Sequence, residues 1–309
     1  MITTKKIGYN SGDSIFKTIL FASGLIIIVL IILIFFLLIY LSLSSILRFG
    51  LKFIISSEWN PVKKEFGAFP FILGTLITSF SAMIIVIPFS LSTSLFIREY
   101  APSFLGTIVS HMVDLLAAIP SVIYGMWGIF VLVPAVRVVE EFLYLHFSFI
   151  PIFNALPYGI GLLSAILILV VMTLPYSISV TRDVIAQVPR DLKEGAYALG
   201  ATKWTVVKKI IIPYCKHGII GGTTLALGRA FGETMAVTMV IGNSIRLPKS
   251  IFDPSNTIAS IIANEFNEAS GQLHMSSLIQ LALILFLISM VINTLGRFVI
   301  HKTKIAGSI

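Results

Sequence analysis

Apolar stretches without a charge alternate with short polar segments along this chain, and six of them are long enough to cross about 30 Å of hydrocarbon as helices. They cover roughly residues 19–43, 71–96, 113–133, 157–180, 218–242 and 276–299. Pro88, Pro120 and Pro175 fall inside the second, third and fourth. A proline within a span predicts a kink whose freed carbonyls find partners on neighbouring helices. Three segments between spans stand out. Residues 44–69 are mixed and moderately basic, and 243–275 form the longest polar stretch. In 134–156, Val136, Val139 and Phe142 alternate with Arg137, Glu140 and Glu141, which predicts an amphipathic piece lying on the membrane. The fold class that follows is an all-α membrane protein with six transmembrane helices. Residues 1–69 then form a tail, a first helix and a loop, and 70–309 a core interrupted by a polar loop at 182–217.

That loop is the one long basic segment, and its pattern is that of a folded object. Asp191 and Glu194 are spaced as an Asp-led capping box, with Asp191 as N-cap. Leu192, Ala196 and Leu199 recur at i, i+4 and i+7, one face of a short helix. Gly200 stands where a glycine past the C-cap ends a helix. Thr202 can cap a second helix, with Trp204, Val207 and Ile211 on one side and Lys203, Lys208 and Lys209 mostly on another. Pro213 is expected to stop or bend that helix. Periodicity alone leaves two readings open, a folded helix–turn–helix or a basic loop that only sets topology.

Composition fixes the solvent. The 309 residues are 57% hydrophobic and 12% charged, with a mean hydropathy of +0.99, more apolar surface than a soluble fold of this size hides. The first 30 uncharged residues, 18–47, are far too long for a signal-peptide core of about 7–15 residues, so an uncleaved span is expected. A single cysteine, Cys215, excludes an internal disulfide framework. The five histidines show no ligand spacing, so no metal is expected. With the N-terminus inside, counting Lys5 and Lys6, the inside segments hold fourteen Lys and Arg against seven outside. Both termini and the 182–217 loop are therefore expected in the cytoplasm. The net charge of +8 then points to topology and anionic lipid rather than nucleic acid. No G-x-x-x-x-G-K-[ST] occurs, so a nucleotide site, if used, lies on another subunit. No paired aspartates, Ser/His arrangement or metal set sits within the spans, which argues against an enzyme.

The fifth span carries the remaining chemistry. Arg229 and Glu233 are its only charges, and an ionisable group at this depth costs about 2.5–3.5 kcal/mol even on a lenient scale. On one continuous helix they share a face and can pair. They then form either a self-neutralising pair or a charged spot on a substrate path, with Arg229 facing an anion and Glu233 tempering its field. Gly218/Gly222 and Gly228/Gly232 are small-xxx-small pairs that predict close helix packing.

Two resemblances sharpen this picture. Glu194-Gly195-Ala196, then Gly200, then Ile210-Ile211-Ile212-Pro213, resembles the EAA loop of ABC importer permeases, E-A-A, three residues, G, nine residues, I-x-L-P. Gly195 replaces the first Ala and Ile212 the Leu. Over roughly residues 71–300, the runs LALGRAFGETMAVTMVIGN, DLLAAIPSVIYGMWGIFVLVP and EYAPSFLG are similar to the phosphate-specific permeases of that family. The resemblance implies a type I ABC importer bundle in the bacterial plasma membrane with cytoplasmic coupling helices. Its implied cargo is phosphate, delivered by an external phosphate-binding protein. It implies a second permease and two ATPase subunits holding ATP and Mg, with no cofactor in this chain. It also implies ATPase-coupling roles for Glu194, Gly195, Ala196, Gly200, Ile210 and Pro213, and a transport role for Arg229 and Glu233. A permease for molybdate or sulfate, or an uncoupled channel or scaffold, stays open.

Overall fold

A computed structural model describes residues 11–306. The charges counted at Lys5 and Lys6 lie outside the described residues, as do the side chains of Lys302 and Lys304. The described residues fold into helices and loops, with one isolated bridge, Asn60 to Glu65. In chain order, the helices of six residues or more are α1 (Ser11–Phe49), α2 (Phe69–Tyr100), α3 (Ser103–Ala117), α4 (Ser121–Phe147), α5 (Leu162–Ala186), α6 (Arg190–Ala198), α7 (Lys203–Gly232), α8 (Met235–Val240), α9 (Ile258–Glu265) and α10 (Gln272–Ala306). Six of these, α1, α2, α4, α5, α7 and α10, are long and apolar enough to cross a membrane.

The third, fourth and fifth spans differ from the sequence reading. Residues 113–133 are not one helix. α3 ends at Ala117, and Pro120 caps the start of α4 rather than kinking a span. Its φ of −59° and ψ of 140° are extended, and proline has no N–H to continue the ladder. α4 runs on through a π-helical turn at Gly128–Leu132 to Phe147. The piece expected to lie flat on the membrane is therefore the second half of α4. Its Val136 and Glu140 are buried, while Val139 and Phe142 are exposed. The fourth span is shifted, since its helix begins at Leu162 and reaches Ala186. Pro88 and Pro175 do lie inside continuous helices.

α5 is the centre of the bundle. Its Ala165, Ile168, Leu169 and Met172 are buried with Ala82 of α2, Tyr124 and Val133 of α4, Ala230 of α7 and Val237 and Val240 of α8. α1 is apolar on every side and stays exposed over most of its length. Lipid is as apolar as its side chains, so close packing, as in the stacked Phe35 and Phe286 rings, is joined by polar bonds in holding it to the rest. Ser45 supplies them. Its hydroxyl lies 2.5 Å from the Gln280 Oε1 it donates to, and 3.1 Å from the Ser277 hydroxyl. Its amide donates to the Ser276 hydroxyl over 3.1 Å. The loop after α1 is also folded down. Trp59 Nε1 donates to Glu265 over 2.9 Å, and the His274 ring contacts the same carboxylate at 2.8 Å while stacking on Phe66.

Glu140 is the one fully buried carboxylate among the described residues. It accepts a 2.7 Å bond from the Gly159 amide. Gly159 has φ +74°, and a Cβ there would meet the Val133 carbonyl oxygen at 2.6 Å. Only glycine lets the backbone approach α4 closely enough to make that bond.

Candidate functional site

α6 forms as the pattern predicts but starts differently. Pro189 occupies the N-cap position in extended backbone, and Asp191 lies in the first turn with no side-chain cap bond. The expected Asp191 capping box is therefore absent. An extended residue preceding the helix and a carboxylate in its first turn serve the same end, since the helix dipole favours negative charge there. The far end matches the expectation. Gly200 has φ +81°, its amide bonds to the Tyr197 carbonyl, and the Ala201 amide reaches back to the Ala196 carbonyl. That is the six-to-one and five-to-two pairing of a Schellman stop. Thr202 caps α7, accepting from the Thr205 amide over 3.3 Å.

Pro213 neither stops nor breaks α7. A π-helical turn at Val207–Ile211 immediately precedes it. The extra residue in that turn shifts the hydrogen-bond ladder where a proline would lose a bond, and the helix continues to Gly232. The faces divide differently from the periodic reading. Val206, Val207 and Ile211 are buried with Ile185, Val188 and Cys215. Trp204 is 62% exposed, and Leu192 and Leu199 are exposed too. Glu194, Gly195, Gly200 and Pro213 are exposed, with Ala196 and Ile210 half-buried. The elbow thus presents the apolar side chains of Leu192, Leu199 and Trp204 on its surface along with the exposed Glu194. The loop is fixed to the bundle by Lys193, whose Nζ lies 2.8 Å from Glu99 Oε1 at the end of α2, and by Lys203, 4.8 Å over the Tyr100 ring.

A second fixed point escaped the sequence reading. Arg182, which marked the start of the polar loop, is 7% exposed. Its guanidinium donates to Asp114 Oδ2 at 3.1 Å, Asp183 Oδ1 at 3.2 Å, the Ser179 hydroxyl at 3.2 Å and the Ser110 hydroxyl. The Arg182 hydrogen bond holds the Asp114 carboxyl below the ordinary carboxylate range, against partial burial that pushes the other way. Asp114 thereby joins α3 to α5. Nothing local announces a pair 68 residues apart.

Arg229 and Glu233 are separated by the end of a helix. α7 stops at Gly232, and Glu233 is extended at φ −70°, ψ 122°. The shared helical face, and with it the self-neutralising pair, is absent. Glu233 Oε1 instead accepts from the Ala236 amide over 3.1 Å, at the start of α8. Arg229 is exposed, its guanidinium 5.6 Å from the centre of the Tyr176 ring. The glycine pairs also separate. A Cβ on Gly218 or Gly222 would strike Val184 or Val180 of α5, so these two do pack closely. Gly228 and Gly232 have nothing within 4 Å of a Cβ position. One side of the lower half of α7 is closed against its own chain. The side carrying Gly228, Arg229 and Gly232 is open.

This architecture and these motifs have known counterparts. Residues 87–305 match the family of binding-protein-dependent transport system inner membrane components. The chain belongs to that permease family. The phosphate transport system permease protein PstC of Pasteurella multocida is 48% identical over 86% of this chain and 85% of its own. Its counterpart in Haemophilus influenzae is 45% identical over 94% of each, and a probable one in Methanocaldococcus jannaschii is 39% identical over 85% of each. Among solved structures, the MetNI methionine ABC transporter in an inward-facing form covers 77% of this chain and 94% of its own, at a TM-score of 0.55 and 19% identity. A bacterial alginate ABC transporter covers 92% and 94%, at a TM-score of 0.55 and 16% identity. These share the fold.

The permease is thus a multi-pass inner-membrane protein. The family match begins inside α2 and leaves α1 out, while it includes α6, the whole of α7 and the Arg182 cluster. Both stretches singled out by sequence fall in the shared part.

Proposed function

We propose that this permease is the membrane subunit of an ATP-driven importer of inorganic phosphate. The observation that carries the proposal is Arg229, a guanidinium on the open side of α7 next to two glycines that leave backbone bare, with the helix ending one turn below it. The name shared by its relatives supports phosphate as the cargo. In this reading a second permease packs against the open side, and the two chains enclose the path. Arg229 offers phosphate a cation that binds it briefly, with affinity low enough for release. Glu233 holds the start of α8, and its negative charge tempers the field of Arg229.

Both termini and the α6–α7 elbow face the cytoplasm. Two ATPase subunits, which carry ATP and Mg, seat against Leu192, Leu199 and Trp204. Glu194, Gly195, Ala196, Gly200, Ile210 and Pro213 form the coupling element. An external phosphate-binding protein delivers the cargo from the other side. The chain itself catalyses no reaction. Residues 70–309 act as the transport core, and 1–69 anchor it.

The test is reconstitution of the four kinds of subunit in liposomes. Phosphate should stimulate ATP hydrolysis and be taken up, and Arg229→Ala should abolish uptake while the complex still assembles. Normal uptake by that variant would overturn the role of Arg229. Equal competition by molybdate or sulfate would move the cargo to oxyanions in general. Uptake without any ATPase would favour an uncoupled channel.

A further inference from the structure

A cavity of about 510 Å³ opens between the end of α2, α3 and the start of α6, apart from Arg229 and the open side of α7. Arg98, Ser103, Thr107, Ser110, His111 and Arg190 supply its polar lining, and no carboxylate lines it. The charges around it do not cancel. Arg182 is engaged by Asp114 and Asp183, and Lys193 by Glu99. Arg98 reaches Asp183 only at 4.0 Å, a carboxylate already bonded to Arg182. The Arg190 side chain makes no hydrogen bond, ion pair or ring contact among the described residues. One guanidinium is therefore uncompensated and a second only loosely held.

One hydroxyl of the lining, that of Ser110, is arranged to donate, while Thr107 donates to the Ser103 carbonyl. Ser110 Oγ accepts from Arg182 behind it, which leaves its own proton free for a ligand. The His111 Nδ1 lies 2.8 Å from the Thr107 carbonyl, which leaves the ring edge at the cavity wall. Two guanidiniums and a hydroxyl around a space larger than one small ion are groups that bind a tetrahedral oxyanion.

We infer that this cavity is a phosphate-class oxyanion site on the face that carries the α6–α7 elbow, distinct from the transport path at Arg229. Its occupant is either free inorganic phosphate or the phosphate of a lipid headgroup, and on the orientation proposed above it opens to the cytoplasm. An anion held here joins Arg98 at the end of α2 to Arg190, the first residue of α6. Occupancy therefore stiffens the elbow against the bundle, and released cargo can act back on the part that an ATPase would grip.

The test uses the assembled, nucleotide-free complex without the external binding protein and with Arg229→Ala throughout, in nanodiscs of neutral lipid. Inorganic phosphate is titrated at constant ionic strength by equilibrium dialysis, and amide exchange is followed over residues 190–199. Phosphate should bind and slow that exchange. Arg98→Gln or Arg190→Gln should weaken binding about tenfold or more, and Arg190→Lys should restore most of it. A second arm replaces neutral lipid by phosphatidylglycerol. Slowed exchange there, without an effect of free phosphate but still dependent on Arg98 and Arg190, assigns the site to a headgroup. The inference is overturned if neither phosphate nor anionic lipid produces an effect that depends on these arginines. Failure of wild-type phosphate uptake would sink the transport reading and leave this result standing.

Discussion

Lys193 and Glu99 meet at 2.8 Å across 94 residues of sequence, with side chains only 21% and 9% exposed. Their bond joins the first elbow helix to the end of α2. A pair this sheltered depends on both members, since removing one leaves a poorly solvated charge. Glu99→Ala should cost about 1–3 kcal/mol in thermal unfolding of the purified chain and lower ATP-coupled uptake. A double-mutant cycle with Lys193→Ala checks it. Strict additivity of the two losses would mean the pair contributes nothing.

Gly195 and Gly200 should respond in opposite directions. Gly195 lies in the interior of α6 with open space where a Cβ would go. Gly195→Ala should stabilise the helix by about 0.5–1 kcal/mol and leave transport intact. Gly200 also has open space, but its φ of +81° is the left-handed region. Gly200→Val should cost about 1–2 kcal/mol and open the Schellman stop. Melting curves of the two variants, run beside ATPase co-purification, separate backbone strain from lost contact.

Glu233 can be dissected by charge and by shape. If its task is the bond to the Ala236 amide, Glu233→Gln keeps an acceptor and should melt like the wild type, while Glu233→Ala should lose about 1 kcal/mol. If its charge also tempers Arg229, Glu233→Gln should change the KM for phosphate without changing stability. Uptake kinetics and melting of both variants provide the readout. Wild-type kinetics in Glu233→Gln would remove the electrostatic part.

Glu140 and Gly159 make a buried bond between α4 and the loop before α5. Glu140→Gln retains an acceptor for the Gly159 amide and should be tolerated. Glu140→Leu should orphan that amide at a cost of about 1–3 kcal/mol. Gly159→Ala should be worse, because its Cβ meets backbone rather than a movable side chain. Detergent unfolding of the three variants should give that order.

The sequence and the structure agree where the signal is local. Charge-free windows gave the number of spans, with the third, fourth and fifth displaced along the chain, because burial in lipid tolerates few charges wherever the chain turns. Gly200 and Thr202 declared a helix stop and a helix start through chemistry confined to a few residues. Pro120 misled, since an apolar window carries no mark of where one helix yields to another. Arg229 and Glu233 misled for the same reason. Four residues apart means a shared face only on an unbroken helix, and Gly232 was the one hint that the helix ends. The Arg182–Asp114, Lys193–Glu99 and Ser45–Gln280 contacts lay beyond reach, because each depends on how distant helices pack.

α7 runs as one helix from the elbow into the bundle, through a π turn and Pro213. From Lys203 to Gly232 its 30 residues form one rod about 45 Å long at 1.5 Å per residue. Its π turn is clamped by the buried Val206, Val207 and Ile211, and Gly218 and Gly222 press it against α5 near mid-length. That contact serves as a fulcrum. If α7 moves as a rigid body about that contact, a sideways push at Trp204 emerges as a swing of opposite sense at Arg229, and mechanical advantage is set by where two glycines sit along a single shaft.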